Sequence, residues 1–149
     1  MAKRTLGVLI HGAGWVSARH IAAFQHNPAS RVVAISTFSD LRTVATERAP
    51  FFASAGNIRE AIGIAEKQAS FVVDEVSPVR AAARLSVPVL LIHGAADDET
   101  PPAHSERVHA ALKGPKRLLL LPKGGHAVSL DEATWKVIDE WLTPVADRQ

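Results

Sequence analysis

The sequence predicts a small three-layer α/β domain: a parallel sheet of four strands with helices on both faces. Three observations carry this. Four short apolar runs, Leu6–Ile10, Arg31–Ser36, Val87–Ile92 and Arg117–Leu121, are near-continuous rather than alternating, as in strands buried on both faces. Segments of helical periodicity lie between them. The first two runs and the segment joining them make a compact βαβ unit, whose crossover is right-handed.

Each element has its own signal. Leu6–Ile10 ends in Gly12-Ala13-Gly14, a tight turn into a helix from Trp15 to His26 that carries Ile21 and Phe24 on one face. Asn27-Pro28 closes that helix. Residues 40–48 and 57–69 read as helices separated by Pro50-Phe51-Phe52, the second with an apolar stripe of Ile58, Ala61, Ile62 and Ala65. After Val87–Ile92, a helix is expected with Thr100 as N-cap and Pro101 in its first turn, turning Val108, Ala111 and Leu112 inward. Ser129-Leu-Asp-Glu132 has the form of a capping box, opening a last helix that buries Leu130, Val137, Ile138 and Trp141 before Pro144.

Composition narrows the function classes. With 149 residues, 47% apolar and 21% charged, the chain is expected to fold as one domain, residues 1–149. A net charge of +2 without a Lys/Arg run argues against nucleic acid. The absence of cysteine excludes disulfides, thiolate catalysis and Cys-based metal sites. Six of the seven histidines, 11, 20, 26, 93, 104 and 109, show no ligand spacing and are expected to be structural or exposed, so no metal is expected. The apolar stretch near the N-terminus ends at His11-Gly12, too short for a signal peptide or membrane span. A cytoplasmic protein with no membrane partner is expected. An open sheet edge at Leu6–Ile10 would favour a homodimer.

The segment Pro88-Val-Leu-Leu-Ile-His-Gly-Ala-Ala-Asp-Asp-Glu-Thr-Pro-Pro-Ala-His-Ser105 resembles the strand and loop that carry the catalytic acid in α/β-hydrolases, nearest the peptidase and esterase branch. Leu118-Leu-Leu-Leu-Pro-Lys-Gly-Gly-His126 resembles that family's last strand and catalytic-histidine loop, and Phe38-Ser-Asp-Leu-Arg and Ser77-Pro-Val-Arg-Ala-Ala match segments leading into them. The resemblance covers residues 37–142 and implies Asp97 as the acid, with Asp98 the weaker candidate, and His126 as the base. A histidine base needs a carboxylate on its other ring nitrogen, and loops after neighbouring parallel strands share one sheet edge. The Gly-x-Ser-x-Gly elbow of such enzymes is missing. Laid over that motif, Ile10-His11-Gly12-Ala13-Gly14 puts Gly12 in the nucleophile's place, so the Asp97–His126 dyad reads as vestigial.

Residues 1–36 resemble instead the dinucleotide-binding start of the glucose–fructose oxidoreductase and inositol dehydrogenase family, through Gly7-Val-Leu-Ile-His-Gly-Ala-Gly-Trp-Val-Ser-Ala-Arg-His20 and Val32-Val-Ala-Ile-Ser36. That resemblance implies an NAD(P) site at Gly12, Ala13, Gly14, Trp15, Val16 and Ser17, with the pyrophosphate on a helix N-terminus. Ser36 and Thr37 stand where a ribose-binding acid would end the second strand, so affinity should be weak. The expectation is a Rossmann-like chimera, natural or engineered, joined near Val32–Thr37: a partial α/β-hydrolase (residues 37–149) without efficient catalysis and with weak nucleotide or other small-molecule binding. Two alternatives remain: a small serine hydrolase using Asp97, His126 and an unrecognised serine, for which Ser17 is the nearest candidate, and an NAD(P)-binding module.

Overall fold

A computed structural model describes residues 7–13 and 31–143. Strand β1 (Gly7–Ala13) pairs with β2 (Arg31–Thr37), β2 with β3 (Val89–Gly94) and β3 with β4 (Lys116–Leu121), every pair parallel and in sequential order. The parallel α/β character is therefore as the apolar runs indicate. The helix expected over residues 15–26 lies outside the described residues.

The strand side chains divide cleanly between two faces. Val32, Ala34, Val89 and Leu91 join Ala82, Leu85, Val108 and Leu112 in one cluster. These last four come from or adjoin the short helix α3 (Pro78–Ala82) and α4 (Ala103–Ala111). Val33, Ile35, Leu90 and Ile92 face the other way, onto Ile138 of α5 (Glu132–Leu142), with Val137, Trp141 and Leu130 partly buried around it. Alternation on strands buried on both sides thus gives a three-layer arrangement. Leu90, Leu91 and Ile92 are all essentially inaccessible, so β3 is the centre of the core.

Two helix starts differ from the sequence reading. Thr100 does not cap α4; its backbone N–H instead goes to the Asp97 carboxylate, and the helix begins at Ala103. The last helix is capped by Asp131, which accepts from the Thr134 N–H at 2.8 Å, rather than by Ser129. An ionised carboxylate at the N-cap outcompetes a hydroxyl two residues earlier, because it also complements the helix dipole.

The middle helices are α1 (Leu41–Glu47), capped by Asp40, and α2 (Ala55–Ala69), capped by a reciprocal Ser54–Asn57 box. The stripe on α2 is not core. Ile58 and Ile62 are only half-buried, Ala61 and Ala65 are exposed, and no residue of the helix is fully buried. The reason is position: α2 packs on α1, away from the sheet. Among the described residues, no helix is long and apolar enough to cross a membrane.

Candidate active site

The loops after β3 and β4 meet at the carboxyl edge of the sheet, and the meeting is very close. A Cβ on Gly94 would stand 2.2 Å from the Gly124 carbonyl oxygen and 2.4 Å from that of Gly125. Only glycine lets the two backbones touch there. Two backbone hydrogen bonds then fix the contact, Ala95 N–H to Leu121 O and Ala96 N–H to Gly124 O, both at 2.9 Å, and Gly124 N–H to Leu121 O at 3.0 Å closes the turn after β4.

Asp97 sits inside this junction with its side chain wholly buried. Its Oδ1 accepts the backbone N–H groups of Glu99 (3.0 Å) and Thr100 (2.8 Å). Its Oδ2 lies 3.1 Å from His126 Nδ1 and 3.1 Å from His93 Nε2. Burial by itself pulls the carboxyl's pKa up. The Thr100 N–H, the His126 hydrogen bond and the positive charge that either imidazole can carry outweigh it, holding Asp97 below the ordinary aspartate value. The neighbouring Asp98 is exposed, so Asp97 is the carboxylate that reaches the histidine.

His126 has the geometry of a positioned base. A carboxylate can only accept, so Nδ1 carries the proton and Nε2 is the ring's lone-pair nitrogen. The side chain is 40% exposed, and among the described residues Nε2 has no hydrogen-bond partner. Next to it, Ser36 donates from Oγ to the His126 carbonyl at 3.2 Å. Ser36 has φ of 50°, a left-handed backbone that a non-glycine residue adopts at a cost. The β1–β2 register matches this kink: His11 faces Ile35 and Ala13 faces Thr37, with no partner pair between.

Two features of the edge escape the sequence reading. His93 is completely buried and hydrogen-bonded to the acid. A signal for it exists, since it is the histidine of the same His-Gly-x-x-Asp run that marks Asp97. A second buried cluster is centred on α4: His104 Nε2 contacts Glu47 Oε2 at 2.6 Å, and its Nδ1 accepts from the Ser39 N–H at 3.1 Å, beside Ser39 Oγ at 2.8 Å. Ser39 is inaccessible, so this cluster ties α1 to α4 rather than presenting a nucleophile.

The glycine turn is less informative. Gly12 and Ala13 belong to β1, which runs three residues beyond the expected end at Ile10. Gly12 therefore lies inside the strand, one residue short of its end. Gly14, Trp15, Val16 and Ser17 fall outside the described residues. No group of three or more His, Cys, Asp or Glu is placed to hold a metal among the described residues.

The sequence model of the prolyl oligopeptidase family, Peptidase S9, matches residues 13–143. This chain belongs to the prolyl oligopeptidase family. The match spans Val32–Thr37, the expected seam, and nothing in the comparisons supports a dehydrogenase piece. Among curated relatives, the uncharacterized protein YfhR of Escherichia coli K12 is 35% identical over 95 residues, 64% of this chain and 28% of that protein. The uncharacterized protein YqkD of Bacillus subtilis is 40% identical over 76 residues, 49% of this chain and 25% of that protein. The matched stretch of this chain thus spans roughly a quarter of the length of these relatives.

Solved hydrolases share the fold of this member of the family. A Mycobacterium tuberculosis puromycin-hydrolyzing peptidase superposes with a TM-score of 0.62 at 24% identity, over 90% of this chain and 20% of its own. Acetyl xylan esterase 1 from Thermoanaerobacterium gives 0.64 at 16% identity, over 93% and 44%.

Proposed function

We propose that this chain carries the acid–histidine half of a serine-hydrolase site, for acyl transfer from an ester or amide to water, and does not turn over substrate efficiently by itself. The observation that carries the reading is the 3.1 Å contact between buried Asp97 Oδ2 and His126 Nδ1, with Nε2 of that ring free of any hydrogen-bond partner among the described residues. A carboxylate that fixes the tautomer and stabilises the imidazolium is what a general base needs when it takes a hydroxyl proton and later returns it to a leaving group. The ester or amide class is supported by family membership and by the peptidase and esterase that share the fold. The catalytic deficit follows from the missing Gly-x-Ser-x-Gly, since losing the nucleophile costs a serine hydrolase about 10⁶ in turnover.

A second reading has a specific observation in its favour. Ser36 combines a left-handed backbone at a strand end with a hydroxyl against the His126 loop, features that an activated serine on a sharp turn would show. One experiment separates the two. A fluorophosphonate probe should leave every serine of the chain unlabelled, and p-nitrophenyl acetate hydrolysis should not exceed that of an exposed imidazole. Labelling of Ser36, with turnover abolished in His126→Ala, would establish the second reading instead; labelling of any other serine would defeat both.

A further inference from the structure

We propose that His93 is a positioning residue for the acid: a buried second imidazole that fixes the Asp97 carboxylate in the orientation His126 requires. The inference rests on the Asp97–His126 pair being the working unit of the site.

The ring's own hydrogen bonds determine its tautomer. His93 Nε2 faces two acceptors, Asp97 Oδ2 at 3.1 Å and the Thr100 carbonyl at 2.8 Å, so it carries the proton. In the neutral ring Nδ1 then accepts, and the Ser105 hydroxyl stands 2.5 Å away to donate, much nearer than its other acceptor, the Thr37 carbonyl at 3.5 Å. Ser105 and His93 are both inaccessible to solvent, so no water competes for either end. The result is a chain of hydrogen bonds from the first turn of α4 through Ser105, His93 and Asp97 to His126. Ser105 donates to His93, and His93 and His126 both donate to Oδ2 of Asp97 from opposite ends of the chain.

This chain does something the two backbone N–H groups cannot. Glu99 and Thr100 hold Oδ1 and supply no donor to Oδ2, the oxygen that His126 uses. A donor on Oδ2 from the buried side fixes the second oxygen as well. Without it, Oδ2 is no longer held in line with Nδ1 of His126, and the proton of that ring is shared between its two nitrogens, as in a free imidazole. His93 touches no reacting atom in this scheme; it acts through Asp97.

Nitrogen-15 spectra of the histidine rings in the full chain test this directly. In the unaltered protein, His126 should be the Nδ1–H tautomer and His93 the Nε2–H tautomer. His93→Leu should shift the His126 tautomer ratio by about fivefold towards Nε2–H, the scale of one hydrogen bond, and move the Asp97 carboxyl resonance towards ordinary aspartate titration. His93→Gln, which keeps a side-chain N–H, should restore most of the ratio. Ser105→Ala is the milder probe should His93→Leu fail to fold. It frees Nδ1 to take the proton and should move the His126 ratio in the same direction, by less. A folded His93→Leu or Ser105→Ala with both His126 and Asp97 signals unchanged would overturn the inference while leaving the pair intact. An Nε2–H tautomer at His126 in the unaltered protein would instead remove the pair, and the role of His93 with it.

Discussion

Replacing Asp97 with alanine should destabilise the protein by about 3 kcal/mol at neutral pH, because a buried acceptor of several hydrogen bonds disappears at once. The Thr100 N–H loses its acceptor in a buried setting, and His93 Nε2 keeps only the Thr100 carbonyl. The exposed Glu99 and His126 can turn to water and contribute less to the loss. Urea unfolding at pH 7 measures the total, and a loss below about 1 kcal/mol, the scale of a single hydrogen bond, would mean that the carboxylate is not the hub of this loop.

The same residue predicts the acid limb of stability. Asp97 is held below its ordinary value of 3.8 in the folded protein, and near that value once unfolded. Its contribution is therefore complete at pH values above 3.8, falls as the pH drops below it, and is gone once the folded carboxyl is protonated. Asp40 and Asp131, the caps of α1 and α5, are also lowered and act in the same sense. For Asp40 burial opposes the shift and the Thr43 and Ser39 hydrogen bonds overcome it; for Asp131 the Thr134 hydrogen bonds lead. Asp97→Asn should flatten this limb without abolishing it. Parallel acid limbs for the variant and the unaltered protein would contradict the assignment.

How much of this is legible in the sequence depends on what kind of signal each residue sends. A buried parallel strand announces itself, because Val-Leu-Leu-Ile has to be apolar on both faces. Asp97 is legible because it lies in the loop directly after such a strand; His126 follows β4, an edge strand with no buried residue, and is legible from the loop pattern instead. Helix starts are less so: Ser129 yields the cap of the last helix to Asp131, two residues on, and Thr100 is drawn to a partner outside α4. At Thr100 that partner is Asp97, whose need for donors overrides the local preference. His93 is invisible to a search by metal-ligand spacing, because its partners are a carboxylate four residues on and a hydroxyl on the next helix. The left-handed backbone of Ser36 has no sequence signature at all, since serine carries no preference for it. The dehydrogenase resemblance shows the opposite hazard: a short Gly-x-Gly after an apolar run is a weak signal, and the family match covers Val32–Ser36, half of what carried it.

A single methyl group at Gly94 should have the second large effect. Gly94→Ala places a Cβ 2.2 Å from one carbonyl oxygen and 2.4 Å from another, and both belong to backbone, so no side chain can swing aside. Relief requires the loop of residues 122–126 to move off β3, which breaks the Ala95–Leu121 and Ala96–Gly124 hydrogen bonds. Overpacking of this kind costs about 3 kcal/mol. It should also separate His126 from Asp97, since the same loop carries the ring. Gly63→Ala is the matched control. Gly63 lies within α2, and a Cβ there would meet no atom inside 4 Å, so the substitution should stabilise by about 1 kcal/mol through helix propensity alone. Thermal or urea unfolding gives the two signs, and the His126 ring spectrum shows whether the dyad survives. If Gly94→Ala retains both its stability and the Nδ1–H tautomer of His126, the two loops are not locked together at this glycine, and the active-site geometry must be held elsewhere.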